Sequence, residues 1–396
     1  MDRMNGMEII YPLAMDNWDL AEKKAMEDVI NSGRFTMGTR VREFEQAISE
    51  YFGNKHTIMV NSGSSANLVM LTALKIIFGK NWTSEAEIIV PAISWSTTYT
   101  PLYYLGLKPV YVDVNPDDFS INPDLILNAI TKNTVAVFAV NILGQAADLD
   151  RLKQICEQKN LLLLEDNCES LGAKLSNKFT GRFGIASSHS SFYSHHISTM
   201  EGGWISTDDD VFADTCRSLR AHGWIRDNSD DFKAKYNTGD RFRDLFHFVL
   251  PGLNFRPLEI EAALGIVQMK KLDEMLSIRR KNAVIFQRLF SNNENFRVQT
   301  GQGESSWFAF AIIFEGDLIG KRSAIAKSLL ASGIESRPLI AGNFTKQPVN
   351  EYLQSRVFGN LPVADEIHSD GIYIGNHPKL LEQELNLAFN VIKGFI

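Results

Sequence analysis

Fourteen residues hold most of the chain's candidate chemistry: Ser190-Ser191-Phe192-Tyr193-Ser194-His195-His196-Ile197-Ser198-Thr199-Met200-Glu201-Gly202-Gly203. Serine hydroxyls can hold an anion, two imidazoles can move protons near neutral pH, and a glycine pair lets backbone approach a ligand closely. A lone histidine is usually a satisfied core or surface residue. Two adjacent ones in a serine-rich loop are less bland, and acid–base work stands beside a structural role as a reading. No lysine lies between Ser190 and Gly203.

Two further stretches have the right types in the right order. His56 to Val60 reads as a strand, followed by Asn61-Ser62-Gly63-Ser64-Ser65-Ala66-Asn67 and a helical pattern to about Phe78. A strand, a small-residue turn and a helix N-terminus form an anion site, because free N–H groups and the helix dipole converge there. The bland alternative is a helix cap. Leu161-Leu162-Leu163-Leu164-Glu165-Asp166 brings a carboxylate to a strand end, either as a cap or as a ligand-facing acid. Trp95, just after the strand-like Glu87–Val90, offers a flat face for stacking or a core side chain.

The elements that must position these residues alternate between the two periods. Strand-like runs at 56–60, 87–90, 108–114, 135–141, 161–164 and 202–207 are interleaved with helical ones, which predicts a parallel α/β sheet with ligands at the carboxyl ends of its strands. Near the N-terminus, Leu20, Ala21, Met26 and Ile30 predict one covering helix, and Val41, Phe44, Ile48 and Phe52 a second. The charged stretch 227–244 reads as an excursion, and 258–291 as a long helix. A strand at 306–314 and helices at 321–332 and 379–392 complete a smaller C-terminal unit.

At 396 residues, the chain has room for a large core and about two domains. Its 40 basic and 47 acidic residues give a net charge of −7, which argues against nucleic acid. No apolar run is long enough to span a membrane, and Met1–Gly6 leads into no apolar signal core. Cys156, Cys168 and Cys216 are widely spaced, with neither a disulfide framework nor a zinc pattern, and suit a reducing cytoplasm.

Gly63-Ser64, Trp95, Asp166-Asn167-Cys168-Glu169, the Ser190–Gly203 segment and Asn254 together resemble the sugar-nucleotide aminotransferases of pyridoxal-phosphate (PLP) fold type I, over nearly the whole chain. The resemblance implies an α/β fold with a large cofactor-binding domain over 1–256, built on a mixed, mostly parallel sheet. A small C-terminal α/β domain over 257–396 completes it. It implies that Gly63 and Ser64 hold the cofactor's phosphate, Ser190 binds the cofactor, Trp95 stacks on its ring and Asp166 pairs with its ring nitrogen. Glu169 stands where the family has a Gln or His touching the cofactor hydroxyl. Asn254 matches a residue that reaches into the partner subunit's site, implying a homodimer with composite sites. Arg337 is assigned to substrate binding.

In that family a Ser-Phe opens the segment, a Schiff-base lysine follows and Glu-Gly-Gly closes it. Counting back from Glu201-Gly202-Gly203, the lysine's place is taken by His195. That substitution resembles the family's lysine-less, dehydrating branch. It implies PLP working as pyridoxamine phosphate, a GDP-linked 4-keto-6-deoxy sugar that loses its C3 hydroxyl, His195 as proton carrier, and L-glutamate as amino donor. A second lysine-less branch needs an iron–sulfur centre, for which three cysteines are too few, so no such cluster is expected. Two alternatives stay open: a sugar 4-aminotransferase with a lysine from elsewhere, Lys174 and Lys178 lying too early in the pattern, and a non-catalytic ligand-binding relative.

Overall fold

The computed structural model describes residues 8–15 and 17–396; Met1–Gly6, read above for a signal core, lies outside them. In chain order the strands are β1 His56–Val60, β2 Glu87–Pro91, β3 Lys108–Val112, β4 Thr134–Val140, β5 Leu162–Asp166, β6 Lys174–Leu175, β7 Lys178–Phe179, β8 Ala186–Ser190 and β9 Gly203–Thr207. Then come β10 Phe296–Val298, β11 Ala309–Phe314, β12 Ser336–Pro338, β13 Arg356–Val357 and β14 Gly371–Gly375.

The large sheet has the order β1-β9-β8-β5-β4-β2-β3-β13. Its strands run parallel except β9, which is antiparallel to both neighbours. Alternate residues feed two cores. Ile88, Val90, Phe138 and Leu164 face the helices Gly63–Phe78 and Ser96–Leu105, while Ile89, Val137 and Leu163 face the helices on the other side. Burial on both faces explains the near-continuous apolar runs in the sequence. β10, β11, β14 and β12 form a separate antiparallel sheet in the C-terminal region.

The helix Thr39–Phe52 buries Val41, Phe44, Ile48 and Phe52, the expected face. The first helix, Leu20–Ser32, does not turn its expected face inward. Leu20 and Ile30 are exposed, whereas Glu22 and Val29 are buried. Glu22 can be buried because Lys271 Nζ sits 2.7 Å from both its oxygens and Gln268 Nε2 donates to it at 2.6 Å. A carboxylate satisfied in this way can occupy an inward position that hydrophobic periodicity assigns to an apolar residue.

The excursion at 227–244 contains two short helices, Asp230–Tyr236 and Arg241–Asp244. The long helix Glu259–Phe290 starts two residues past the expected break at 256/257. Its first half, through Leu276, packs with Val41, Phe44 and Trp204, and its second half, from Ala283, packs in the C-terminal core. One helix therefore belongs to both regions.

Candidate active site

The site lies where the carboxyl ends of the strands converge. Val60, Gly203 and Ser190 occupy one cross-strand row, because β9 pairs with both β1 and β8. This register brings the turn after β1 beside the end of β8. A Cβ on Gly203 would lie 2.5 Å from Gly63 N and from the Ser62 carbonyl carbon, so only glycine allows the turn to approach the strand. A Cβ on Gly63 would meet Ser190 Cβ at 2.7 Å and Cys168 Sγ at 3.1 Å. Ser62 caps the helix Gly63–Phe78 by accepting from Ser65 N at 3.0 Å. The first helical turn has no intrahelical acceptor for its N–H groups, so those of Gly63 and Ser64 are available to an anion. Ser64 Oγ donates to Thr97 Oγ1 at 3.0 Å, joining this turn to the start of the helix Ser96–Leu105.

Asp166 ends β5 and is buried at the cavity wall. Its Oδ2 accepts from Asn67 Nδ2 at 2.9 Å and Thr98 Oγ1 at 2.8 Å, and Oδ1 accepts from Cys168 N at 3.2 Å. Asn67 lies one turn beyond Gly63 on the same helix, so the element offering N–H groups to an anion also fixes the carboxylate. Ser188 Oγ in turn donates to Asn67 Oδ1 at 2.5 Å. Trp95 is 58 % exposed at the cavity mouth, its ring uncovered by protein.

His195 lines the cavity and His196 does not. The His195 ring meets Phe308 edge-on at 5.1 Å and Phe192 at 6.1 Å. Its Nδ1 is buried without a partner, which leaves Nε2 as the nitrogen available to the cavity. Burial, and secondarily the Arg279 guanidinium, depress its pKa from 6.5 to about 4, so the imidazole is neutral at physiological pH. His196 is turned into the protein, where Nε2 lies 3.1 Å from the Ser306 carbonyl oxygen.

Glu169 also lines the cavity. Its Oε2 accepts from Leu143 N at 3.0 Å, and burial pushes the carboxyl up to about 7. Leu143 holds a left-handed backbone at φ 50°, which aims that N–H at the carboxylate. Gly63, Ser64, Trp95, Asp166, Glu169, Ser190 and His195 are thus brought to one cavity of about 510 Å³. Two assigned residues are not. Asn254 is exposed, and its Oδ1 accepts from Arg256 N and Nε at 3.3 and 3.1 Å. Arg337 is half-exposed beside Glu335, cross-strand from the cavity residue Tyr373 but outside the lining.

No lysine is among the cavity-lining residues described. Lys174 and Lys178 lie in the β6–β7 hairpin, each with its Nζ 4.6 Å from a phenylalanine ring centroid, Phe179 and Phe183. The donor set fits a phosphorylated pyridine cofactor: a helix N-terminus with adjacent serines, a buried acid, and an uncovered aromatic face. Several working residues were not singled out from sequence. Asn67 had a usable signal in its four-residue spacing from Gly63. Thr98, Phe308, Tyr373 and Asn376 had none, since distant elements bring them in.

Three comparisons bear on this site. The model of the DegT/DnrJ/EryC1/StrS aminotransferase family matches residues 17–393. GDP-4-keto-6-deoxy-D-mannose 3-dehydratase of Yersinia pseudotuberculosis is 43 % identical over 395 residues, covering 98 % of this chain and 100 % of the relative. The structure of E. coli GDP-4-keto-6-deoxy-D-mannose-3-dehydratase with bound hydrated PLP superposes with a TM-score of 0.93 at 42 % identity, over 97 % of this chain and 100 % of that one. A GDP-4-keto-6-deoxymannose-3-dehydratase structure with a trapped PLP–glutamate geminal diamine gives 0.90 at 41 % identity, over 96 % and 99 %.

Proposed function

The chain belongs to the DegT/DnrJ/EryC1/StrS aminotransferase family, and within it we propose that it is a PLP-dependent 3-dehydratase of GDP-4-keto-6-deoxy-D-mannose. The product is the 3,6-dideoxy-4-keto sugar, a step toward colitose. L-Glutamate regenerates the amine form of the cofactor, as the PLP–glutamate structure of the relative supports. The observation that carries the reading is a cofactor cavity lined by His195 with no lysine among its described lining residues.

When bound, the cofactor supplies an amine for the sugar ketone and an electron sink beside C3. The chain's own residues do the rest. Gly63, Ser64 and Ser190 bind the phosphate, Trp95 offers a stacking face, and Asp166 holds the proton on the ring nitrogen. Asn67 and Thr98 keep that carboxylate aimed by donating to Oδ2. His195 accepts a proton at Nε2 and returns it to the departing C3 oxygen. Phe192 and Phe308 pack edge-on against its ring. Glu169, whose carboxyl is pushed up to about 7 by burial, can in its protonated form donate to the cofactor hydroxyl.

We further infer a homodimer in which Asn254 serves the partner's site. Its support is that Asn254 lies outside the cavity of its own chain and follows exposed Leu253 in a segment that also exposes Phe242, Phe246 and Phe248. The aminotransferase alternative lacks a lysine at the cavity. A mass spectrum of the product from GDP-4-keto-6-deoxymannose tests the assignment. Loss of the C3 oxygen is expected; gain of an amine, or unchanged sugar, refutes it.

A further inference from the structure

Arg279 projects from the long helix into the protein and is 4 % exposed. Its Nη1 donates to the carbonyl oxygens of Phe308, at 3.1 Å, and Asn376, at 2.5 Å. Its Nε has no partner, and no carboxylate pairs with it among the described residues. A buried guanidinium without a counter-ion is costly, so what it stabilises should be specific. Both of its acceptors belong to cavity-lining residues. The ring of Phe308 packs on His195 at 5.1 Å and on His196 at 5.6 Å.

The groups around this cation leave its field uncancelled at close range. His196 and His377 are buried and neutral, held by the carbonyl oxygens of Ser306 and Pro12. Arg280, next on the helix, is engaged by Glu304 at 2.6 Å. The acids that line the same cavity as His195 are Asp166, Glu169 and Glu201.

We propose that Arg279 is a positioning residue for the proton shuttle: it fixes the Phe308–Asn376 wall against which His195 packs, and its uncompensated charge drives the proton off His195 toward the leaving oxygen. An imidazolium formed beside a buried guanidinium is a stronger acid than one in water. The proton taken at Nε2 is then passed on rather than retained. No bond other than those to the transferred proton changes at His195. This inference rests on the dehydratase reading for its purpose, but the placement of charge holds whatever the reaction.

The test is histidine-labelled NMR of the full chain, with and without pyridoxamine phosphate, the His195 signal being assigned with His195→Asn. Wild-type His195 should titrate clearly below the ordinary 6.5. Arg279→Gln, which keeps an amide donor and loses the charge, should raise its pKa toward the ordinary value. Arg279→Lys should leave it near the wild-type position. Arg279→Gln should also lower kcat with little change in KM for the sugar. Wild-type titration at or above 6.5, an unmoved pKa in Arg279→Gln, or a KM effect with kcat intact each overturns the proposal. If Arg279→Gln does not fold, Arg279→Met, which also removes the charge, takes its place: an unmoved His195 pKa there overturns the proposal as well. The NMR arm reads the imidazole alone, so its failure is distinct from a failed product assay.

Discussion

Replacing Gly63 by alanine perturbs the point where three elements meet. The new Cβ would stand 2.7 Å from Ser190 Cβ, where carbon atoms normally approach to about 3.5–4.0 Å. The helix start must therefore move by roughly 1 Å. Overpacking of this kind costs about 1–3 kcal/mol. Alanine in place of glycine returns up to about 1 kcal/mol of helix propensity. We expect Gly63→Ala to lose about 1–2 kcal/mol in urea unfolding of the cofactor-free protein. PLP affinity should fall about tenfold or more, since losing one charged hydrogen bond costs about 1.5–3 kcal/mol. Ser190→Gly deletes the obstructing Cβ and the Oγ at 3.1 Å, leaving only Cys168 Sγ, also at 3.1 Å. The double variant should therefore be more stable than the sum of the single losses, with a coupling of about 1 kcal/mol or more. The urea midpoints of all four proteins complete the cycle. Strict additivity, or a Gly63→Ala protein with wild-type stability and PLP affinity, would refute the contact as the reason for glycine.

Three further outcomes are expected. Borohydride treatment of the PLP-loaded protein should leave its intact mass unchanged, because no lysine is among the described residues lining the cavity; a stable gain of one reduced cofactor would contradict this. His195→Asn should still bind cofactor by absorbance yet lose dehydration by about 10²–10⁴-fold, whereas His196→Asn should instead lose about 1 kcal/mol of stability with the Ser306 hydrogen bond; the reverse pattern would exchange their roles. Glu169→Gln should become progressively more stable than wild type as pH rises from 4.5 to about 7, then level off. In this window the unfolded carboxyl ionises while the native one holds its proton, so native wild type loses roughly 1–3 kcal/mol that the amide does not. A pH-independent difference in urea unfolding would count against it.

Much of the site was legible before any coordinates. Strand-to-turn junctions mark the carboxyl ends of a parallel sheet, so local pattern brings up Gly63, Ser64, Trp95, Asp166 and Ser190 as candidates, with caps and core packing as the alternatives. His195 stood out because its place follows from counting along one short segment. Periodicity, turn chemistry and spacing place these residues, and the family resemblance supplies their roles, including the register that puts His195 at the lysine's place. Tertiary structure decided what depends on remote partners. Glu22 is inward because Lys271 and Gln268, some 250 residues away, satisfy it. Asp166 is aimed by Asn67 and Thr98, and Glu169 by Leu143 N. The antiparallel insertion of β9, which brings Gly203 against Gly63, left no trace in the apolar pattern. The register of the family segment separates His195 from His196, but the fold supplies the physical difference: one ring opens to the cavity and the other turns toward the Ser306 carbonyl. Burial and charge are sums over the whole packed chain, so the protonation of His195 is a property of the fold.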